Sequence, residues 1–520
     1  MLLFLISIIA ICGILYELML GTLSSYLIGD SVRQFSFTIG FFMSGMGIGA
    51  YFSRFLEREA LKNFLRVEII LSIIGATSVI ILKLAYIYLG NSDFSFQFIY
   101  FFLTVLIGSL VGIEIPLVAT VYKELKIKTK SIISDIFTFD YIGGLLASLL
   151  FPIILLPYLG LYNISIFIGS LNLLVAFLYL NYLKNKNKKL KIIKNNKFFI
   201  KYYLIIFGVL LYFIFLLTIS QKLENFYLKF YFKEPILQTY QTDYQNIVLT
   251  KRGEDLRMYL NGNIQFNSLD ENRYHEALVD WPMKLINTGQ TQGTAPTENC
   301  RGESCIHPIE VLVLGGGDGL AVRNLLEYDF IDNITLVELD PKMIEISSKQ
   351  RDVIKLNKNS LSNIKVNIIN IDAFKFIKNT KNKYDFIIAD FPDPRDVGTA
   401  KLYSKEFYIG IHGTLKKDGI FVTQSSSSFF ATKAFWSIDK TINSVFGNSL
   451  AYHRYLPSFG DWGFVLSKKG ILENKDICPK LGCTGFDNDY LGENKNVEIN
   501  TLTNPKIIEY YLEGYKKFNL

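Results

Sequence analysis

The 520-residue sequence contains only five cysteines, and their positions limit what they can do. Cys12 lies within an apolar stretch, whereas Cys300 with Cys305, and Cys478 with Cys483, form two pairs of identical spacing. Such pairs fit one or two disulfides, which need an oxidising compartment, or a zinc site, although four thiol ligands usually come as closer pairs. The sequence leaves both alternatives open.

Charge is also scarce, since Asp, Glu, Lys and Arg make up 19% of the residues, and it is divided unevenly. Residues 1–219 carry 18 Lys and Arg against 10 Asp and Glu, whereas residues 220–520 carry 36 against 37. A second part with no excess of positive charge lacks the electrostatic footprint of a nucleic-acid-binding protein. We therefore expect no nucleic-acid partner.

What the chain has instead is apolar sequence: 50% of its residues are hydrophobic and its mean hydropathy is +0.26. This is too apolar for a wholly soluble protein, and the length is too great for one compact domain. The first apolar stretch is too long for a cleavable signal and lacks a basic start. Seven stretches are long enough to span a membrane, at residues 2–28, 35–53, 67–90, 96–122, 137–158, 161–183 and 199–219.

Basic residues occur in alternate loops between these stretches, which predicts a multi-pass protein of the cell membrane, in contact with the lipid bilayer. The basic loops hold Arg54, Arg58, Lys62 and Arg66, then Lys123, Lys126, Lys128 and Lys130, and then eight lysines from Lys184 to Lys201. By the positive-inside rule these loops face the cytoplasm, so the part after the seventh stretch would lie outside.

Glu17, Glu114 and Asp140 are acidic residues that lie inside the apolar stretches. Placing an ionisable group inside a membrane costs enough free energy to suggest a role for it. These residues would either bind a cation such as a polyamine, or pair with neighbouring helices or sit near an interface. The sequence does not choose between the two interpretations.

The second part of the chain is organised around a βαβ pattern. The apolar run 311–314 precedes a glycine-rich turn at 315–319, and a second apolar run leads to Glu338. Glycines let the backbone approach a bound nucleoside, and an acid on the next strand suits a ribose diol. Any nucleotide-binding domain of the doubly wound type would share these features. Asp318 within the turn would repel a pyrophosphate but attract an ammonium group, which indicates a cationic ligand.

Acidic residues recur at the ends of the next predicted strands. The run 366–371 is followed by Asp372, and the run 384–389 by Asp390, with Asp393 three residues further on. Ligands of open α/β sheets bind at these strand ends, although an acid there also serves as a helix cap. Two prolines beside Asp393 would stiffen the turn that holds the last two carboxylates.

The remaining patterns complete an α/β domain. Residues 235–265 predict a small antiparallel sheet with turns at Arg252-Gly253 and Asn261-Gly262. Residues 269–278 predict a helix capped by Asp270. Further along, the patterns predict a polar loop, a fifth strand, a helix and a closing hairpin, at residues 287–308, 419–424, 431–444 and 451–467.

We therefore predict an α-helical multi-span membrane domain, followed by an α/β Rossmann-like domain of the methyltransferase type with a small N-terminal β-sheet. The predicted boundaries are residues 1–220 for a membrane domain of about seven helices, 221–284 for the small β domain and its helix, 285–309 for a polar insertion loop, and 310–520 for the Rossmann-like domain.

Several of these motifs, in this order, resemble the spermidine synthase (polyamine aminopropyltransferase) family, in its long bacterial form with membrane spans before the synthase domain. The matching stretches are Val311–Gly319, Val337–Asp340, Asp372–Phe374, Asp390–Pro394, Leu402–Tyr408, Tyr244–Gln245, Gly262–Gln265 and Asp270–Glu276. In the membrane part and near the end of the chain, the matches are Gly13–Glu17, Gly29–Ser31 and Asn500–Pro505.

The resemblance implies transfer of an aminopropyl group from decarboxylated S-adenosylmethionine to a polyamine acceptor, such as putrescine, with release of methylthioadenosine. This nucleoside is a co-substrate, so no cofactor and no metal are implied. Asp390 would bind and deprotonate the attacking amine, which Tyr274 and Asp393 help to place. The residues implied in donor binding are Gln245 and Asp318 at the ammonium, Glu338 at the ribose, Asp372 at the adenine, and Gln265, His275, Gly315, Gly317 and Ala373 in the same motifs. Many family members are dimers or tetramers, so a homo-oligomer is compatible with the resemblance.

The acceptor motifs depart from those of soluble family members. Phe391 and Pro392 stand where soluble members have small polar residues, and the stretch 457–462 replaces an aromatic-Pro-Ser-Gly-aromatic sequence. Both changes would make the acceptor side narrower or less polar. The amine that the protein uses is therefore left open.

Two other functions are compatible with the sequence. An S-adenosylmethionine-dependent methyltransferase of a lipid or small molecule would share the fold, but Asp318 disfavours the carboxylate of its donor. A non-catalytic polyamine sensor or transporter would not need Asp390 and Asp393. The sequence also does not decide on which side of the membrane the second part lies. The charge pattern favours the outside, whereas the implied donor is made in the cytosol.

Overall fold

The structure is a computed structural model that describes residues 2–28, 31–89, 93–125, 132–190, 197–242, 244–290, 308–472 and 496–517. It divides into two compact units, Met1–Asp243 and Tyr244–Leu520. The two cysteine pairs, and residues 291–307 of the predicted polar insertion, lie outside the described residues. Residues 285–290 of that predicted insertion belong to a helix.

The first unit consists of long helices formed by the apolar stretches. They are α1 (Leu2–Ile28), α2 (Ser31–Ser53), α3 (Ala60–Leu89), α4 (Asp93–Glu124), α5 (Ile132–Leu150), α6 (Leu156–Leu190) and α7 (Lys197–Phe232), followed by the short strand β1 (Ile236–Gln241). A π-helical turn, Phe151–Leu155, joins α5 to α6. Gly160, near the start of α6, has non-helical dihedral angles of φ 69° and ψ 162°.

Within the described residues, six helical segments are long and apolar enough to cross a membrane. They contain the seven stretches predicted from the sequence, apart from residue 90, which is not described. The fifth and sixth stretches share one segment of 55 residues, Ile133–Asn187. The predicted boundary at residue 221 is too early, because α7 continues to Phe232. Charged residues from Lys222 onward end the hydropathy signal but not the helix.

Helices α2 and α4 approach each other through glycines. A Cβ atom on Gly45 or Gly49 of α2 would lie 2.5 or 1.9 Å from a backbone oxygen of α4. In return, a Cβ atom on Gly108 or Gly112 of α4 would lie 2.4 or 2.1 Å from a backbone oxygen of α2. Each helix thus carries two glycines four residues apart, the spacing that lets two helix backbones touch.

The three acids predicted inside the apolar stretches differ in their surroundings. Glu114 is 1% exposed, whereas Glu17 and Asp140 are only half-buried. The side chain of Glu114 meets that of Glu68 on α3, which is 0% exposed. Glu114 therefore contacts a neighbouring helix, as one of the two interpretations predicts, but through a second acid.

The second unit begins with a small antiparallel sheet. Its strands are β2 (Asn246–Arg252), β3 (Asp255–Leu260) and β4 (Asn263–Asn267). Both predicted turns are present. Gly253 has φ 65°, and Asn261 and Gly262 have φ 49° and 83°, which are the positive values that a two-residue hairpin turn requires.

The helical segment after this sheet starts as predicted, but Asp270 does not cap it. The segment comprises α8 (Glu271–His275), a π-helical turn and α9 (Trp281–Gln290). The carboxylate of Asp270 accepts hydrogen bonds from the backbone N–H and the hydroxyl of Ser458, at 2.7 and 2.8 Å. A tertiary contact has therefore replaced the local cap.

The main sheet has seven strands in the order β10-β11-β9-β8-β5-β6-β7. They are β5 (Ile309–Gly315), β6 (Ile331–Glu338), β7 (Val366–Asn370), β8 (Tyr384–Asp390), β9 (Leu415–Ser427), β10 (Leu450–Leu456) and β11 (Gly460–Lys468). Strands β5 to β9 pair in parallel, and β11 pairs antiparallel with both β9 and β10. The strand order reverses beside β5, and open sheets of this kind bind ligands at that point.

Helices cover both faces of this sheet. They are α10 (Leu320–Leu325), α11 (Pro341–Lys349), α12 (Arg351–Asn357), α13 (Ala373–Asn379), α14 (Val397–Ala400), α15 (Lys405–Thr414), α16 (Thr432–Phe446) and α17 (Lys506–Lys517). Val311 and Val313 of β5 belong to one apolar cluster, and Leu312 and Leu314 to the other. Burial on both faces explains why the parallel strands are continuous apolar runs in the sequence.

We predict that Gly49→Ala destabilises the protein, because the added methyl group would overlap the backbone of α4. Gly47→Ala is the matched control, since an added Cβ there has no atom within 4 Å. Overpacking costs about 1–3 kcal/mol, whereas alanine in place of an exposed helical glycine gains up to about 1 kcal/mol. Thermal unfolding of the full chain in detergent measures both changes. Equal shifts in the two variants would contradict the close approach of the helices.

Candidate active site

The carboxyl ends of β5, β6 and β8 bring three predicted acids together, because parallel strands end at the same edge of a sheet. Asp318 follows β5, Glu338 ends β6 and Asp390 ends β8. Asp318 and Asp390 are 2% and 3% exposed, and Glu338 is half-buried. The charge of Asp318 acts on both Glu338 and Asp390. The structure thus forms one acidic site from three separate stretches of sequence.

The turn requires glycine at positions 315 and 317, because atoms of Asp390 and Glu338 occupy the space that a side chain there would need. A Cβ atom on Gly315 would lie 2.2 Å from the backbone oxygen of Asp390, and one on Gly317 would lie 2.6 Å from Oε2 of Glu338. Gly315 also has φ 78°, a value that disfavours other residues. The N–H of Gly317 donates to Oε2 of Glu338 at 3.2 Å, so the turn and the acid fix each other.

Burial raises the pKa of each of these acids. For Asp390 the pKa rises to about 6, because the charge of Asp318 adds to the effect of burial. For Glu338 the pKa rises to about 7, because burial outweighs the hydrogen bonds from the backbone N–H groups of Asp340 and Gly317. Burial raises the pKa of Asp318 as well. A cation bound among these groups would favour their ionised forms.

His275 supplies positive charge beside the acids. Its Nδ1 lies 2.8 Å from Oε2 of Glu271, and the carboxylate of Glu271 accepts from two nitrogens of Arg323 at 2.7 and 2.9 Å. Burial lowers the pKa of His275, but the hydrogen bond and charge of Glu271, with the charges of Asp318 and Asp390, outweigh burial and raise the pKa overall. The charge of His275 lowers the pKa of Asp318 and of Asp390. Its Nε2 has no hydrogen-bond partner in the described part of the chain.

Tyr274 and Asp390, the residues that the family resemblance implies at the attacking amine, are in contact. The hydroxyl of Tyr274 donates to Oδ1 of Asp390 at 2.5 Å. Oδ2 of Asp390 is buried and has no donor among the described residues. The ring of Tyr274 packs against those of Phe459 and Phe464. Tyr274 therefore fixes one oxygen of the carboxylate and leaves the other available.

Asp393, the second acid of the pair, is also bound by a tyrosine hydroxyl. Its Oδ2 accepts from the hydroxyl of Tyr511 at 2.9 Å and lies 3.9 Å from Nη2 of Arg395. Burial raises the pKa of Asp393, and the charge of Arg395 offsets part of that rise together with hydrogen bonds from the side chains of Tyr511, Ser426 and Gln424. Sequence reasoning missed Tyr511, because it lies on α17, 118 residues from Asp393.

The other residues implied in donor binding lie beside or within the small sheet and just after β7. The amide of Gln245 donates to Oδ2 of Asp340 at 3.1 Å, just beyond the end of β6. Gln265 is half-buried on β4, and Ala373 is buried at the start of α13. The carboxylate of Asp372 accepts a hydrogen bond from the backbone N–H of Lys375 and so caps α13. For Asp372, the alternative interpretation of a strand-end acid as a helix cap is confirmed.

Lys401, which sequence reasoning also missed, pairs with Asp372 at 2.6 Å. Burial would raise the pKa of Asp372, but the hydrogen bond and charge of Lys401, together with the backbone N–H groups of Lys375 and Phe374, outweigh burial and lower the pKa. Asp372 is therefore ionised, and the ammonium of Lys401 offsets part of its negative charge. The acids at the centre of the site differ, because burial raises their pKa values.

The ring of Phe391, which the sequence predicts on the acceptor side, packs in the apolar core. Phe391 is 6% exposed, and its ring packs against Tyr403 and Phe407 in the apolar core. The amide of Gln424 on β9 donates to the carbonyl oxygen of Phe391 and, at 2.6 Å, to the hydroxyl of Tyr403. These bonds fix the backbone of the turn with the ring in the core. Pro392 is exposed.

The fold and these side chains define a doubly wound α/β protein with a buried acidic site where its strand order reverses. Residues 271–475 match the family model of the spermine/spermidine synthase domain. Polyamine aminopropyltransferase 2 of Aquifex aeolicus is 37% identical over 96% of this chain and 96% of its own length. The polyamine aminopropyltransferase of Leptospira interrogans is 35% identical over 97% of each. The chain belongs to the spermidine synthase family, as its motifs predict, and is a transferase of the aminopropyltransferase type.

Both relatives match the first unit as well as the second, since the aligned region covers nearly the whole chain. A solved spermidine synthase in complex with the transition-state analogue AdoDATO is 24% identical and covers 54% of this chain and 85% of its own, with a TM-score of 0.40. At that TM-score the likeness adds nothing to the assignment, which rests on the full-length relatives.

We predict that kcat/KM for the amine falls as the pH drops through about 6, because Asp390 becomes protonated. The hydrogen bond from Tyr274 lowers the pKa of Asp390. Tyr274→Phe should therefore move the acidic limb of the profile to higher pH. Tyr455→Phe, at an exposed side chain of β10, is the control and should leave the limb in place. An unmoved limb in Tyr274→Phe would contradict the role given to this contact.

Proposed function

We propose that this protein transfers the aminopropyl group of decarboxylated S-adenosylmethionine to one end of a diamine such as putrescine, and releases methylthioadenosine. The observation that carries the proposal is a buried carboxylate oxygen with no donor among the described residues, Oδ2 of Asp390. A buried acceptor without a donor is costly in a folded protein. An amine supplies both the N–H donor and the positive charge that this oxygen lacks.

The nucleoside is held by the acids on the other side of Asp390. Asp318 binds the ammonium of the aminopropyl group, Glu338 binds the ribose hydroxyls and Asp372 binds the adenine amino group. Support comes from the position of the first two, which lie in and against the glycine turn where a nucleoside approaches the backbone. Their raised pKa values support a positively charged donor, because a cation favours the ionised carboxylates.

The attacking amine must lose a proton, because a protonated amine has no lone pair. Asp390 accepts this proton on Oδ2 while Tyr274 holds Oδ1. The nitrogen then forms a bond to the carbon beside the sulfonium, and the carbon–sulfur bond breaks with its electron pair left on sulfur. Sulfur becomes a neutral thioether, and Asp390 carries the proton. Holding nitrogen, carbon and sulfur in line contributes much of the acceleration.

We predict that the purified full-length protein, given this donor and putrescine, forms methylthioadenosine and an amine heavier by one aminopropyl group. Asp390→Asn should lower kcat by about 10²–10⁴-fold, because the amide is similar in size but cannot accept the proton. Glu345→Gln, on the exposed surface of α11, is the matched neutralisation control and should retain activity. Formation of S-adenosylhomocysteine from S-adenosylmethionine, without aminopropyl transfer, would instead show a methyltransferase.

We propose further that the first unit spans the cell membrane and is surrounded by lipid. Six of its helical segments have the necessary length and composition. Their outer faces carry large apolar side chains that are more than half exposed, among them Phe4, Phe102, Leu145, Tyr158 and Leu204. Such a surface is unfavourable in water, whereas lipid chains cover it without cost.

The distribution of basic residues predicts that the second unit lies on the opposite side of the membrane from the segment 184–201. Reporters that are active on one side only, fused after Leu520 or inserted in that segment, should give opposite signals. Equal signals would contradict the external placement of the second unit. Release of the protein from membranes by alkaline carbonate would contradict spanning altogether.

A further inference from the structure

A pair of buried glutamates lies inside the first unit, within helices long and apolar enough to cross a membrane. Glu68 of α3 is 0% exposed, and Glu114 of α4 is 1% exposed. Each lies at least eight residues from either end of its helix, which is about 12 Å along the helix axis. Because an ionised group at such a depth is costly, acids inside a membrane usually have a partner and a role.

The two glutamates are joined by a hydrogen bond between their carboxyl groups. A carboxylate offers only acceptor oxygens, so this bond needs a proton on at least one of the two groups. The charges that act on Glu114 are those of Glu68 and of Asp140 on α5, which are both acids. Lys83 of α3 is buried as well, but its ammonium donates to Glu224 at 2.6 Å. A proton, rather than a basic side chain of the described residues, therefore holds the pair together.

Polar groups continue from the pair along one face of α3. Ser72 and Gly75 follow Glu68 by four and seven residues, so the three share a face of the helix. Ser72 is 0% exposed, and a Cβ atom on Gly75 would lie 2.1 Å from the hydroxyl oxygen of Tyr16 on α1. The charges of both glutamates act on Tyr16. The hydroxyl of Tyr16 therefore lies against the face of α3 that carries Glu68.

Asn172 of α6 completes a polar row that consists of Glu114, Glu68, Ser72, Tyr16 and Asn172. Its side chain is 0% exposed, and its amide nitrogen donates to the hydroxyl of Tyr16 at 3.3 Å. Its Oδ1 has no hydrogen-bond donor in the described part of the chain. A buried acceptor without a donor costs free energy. The polar row therefore offers a buried oxygen to a ligand that brings a proton.

We propose that Glu68 and Glu114 form a proton-binding site through which the first unit takes up and releases protons. The proton itself is the ligand, because it needs no cavity and can therefore bind to a pair that is closed to solvent. The first unit then exchanges protons as well as anchoring the chain. This activity is separate from the aminopropyl transfer proposed above.

Asp140 gives the proton a route, because it is an acid beside the pair that lies nearer the surface. Its charge acts on Glu114, and its side chain is half-buried, whereas both glutamates are closed to solvent. Release of the proton breaks one O–H bond of the pair, leaves the electron pair on the carboxyl oxygen and forms an O–H bond on Asp140. Uptake reverses these changes, so no other reactant is needed. Chains of acids carry protons in this way in pumps and transporters.

Infrared spectroscopy of the full-length protein in detergent tests this inference, because a protonated carboxyl group has a carbonyl band of its own. The double variant E68Q/E114Q removes both carboxyl groups with little change in size, so subtracting its spectrum isolates the band of the pair. This band should shift after transfer to heavy water, because the proton is exchanged for a deuteron. An unshifted band, as a purely structural pair would give, or no band at all, would overturn the inference.

Asp140→Asn tests the route, because asparagine has nearly the same size but cannot carry the proton. The band of the pair should then shift about 10²-fold more slowly in heavy water, as expected for loss of one proton-transferring side chain. Glu17→Gln is the matched control, since Glu17 of α1 is another half-buried acid and the charges that act on Glu114 come from elsewhere. Equal exchange rates in these two variants would also overturn the inference.

Dicyclohexylcarbodiimide provides a second test if the double variant does not fold. It adds to protonated carboxyl groups in apolar surroundings: the carboxyl oxygen bonds to the central carbon, the proton moves to a nitrogen, and no group leaves. Mass spectrometry of peptides from the unaltered protein should find the label on Glu68 or Glu114. Glu224 is the internal control and should stay unlabelled, because its carboxylate is paired with Lys83. A protein labelled at neither Glu68 nor Glu114 would contradict the proposed site. No substrate is present, so a failure of the proposed aminopropyl transfer does not affect these measurements.

Discussion

Repulsion among buried carboxylates is the constraint on which the second unit depends. Asp318, Glu338 and Asp390 meet at one edge of the sheet, where removing their charges from water costs several kcal/mol each. The protein compensates part of this cost through backbone N–H groups of the glycine turn, the hydroxyl of Tyr274 and the charge of His275. In the free protein, protonation relieves part of the remainder, as the raised pKa values of Glu338 and Asp390 indicate, and a bound cation can take the place of those protons. A positively charged nucleoside and an amine would bring positive charge to these carboxylates. The same electrostatic attraction would bind the substrates.

The surrounding structure keeps this unfavourable arrangement in place. His275 is held by Glu271, and Glu271 by Arg323 on the helix that follows the glycine turn, so a buried ion pair links α8 to α10. Removing one member of such a pair costs far more than the pair contributes, which makes its geometry hard to alter. Tyr511 and Arg395 hold the carboxylate of Asp393 in a similar way. Both groups of side chains lie outside the cluster of acids and fix the orientation of its carboxylates.

The sequence by itself determined the strands, the glycine turn and the acids at the strand ends. These features follow from local order: an apolar run of strand length followed by an acid puts that acid at the carboxyl edge of a parallel sheet, wherever the strand lies in it. The hairpin turn at Asn261 and Gly262 is local in the same sense, because positive φ values select these residues. In α7 the apolar sequence ends before the helix does. The predicted end of the membrane domain at residue 220 therefore comes before the end of the helix at Phe232.

Only the tertiary structure decided which distant groups satisfy the polar atoms of the site. Asp270 bonds Ser458 instead of capping its own helix, and the ring of Phe391 turns into the core. Tyr511 reaches Asp393 from a helix near the end of the chain, and Glu68 meets Glu114 across two helices. Each of these contacts joins segments that are far apart in the chain. Periodicity and turn chemistry describe neighbours along the backbone, whereas such pairs are fixed by the packing of whole elements against one another.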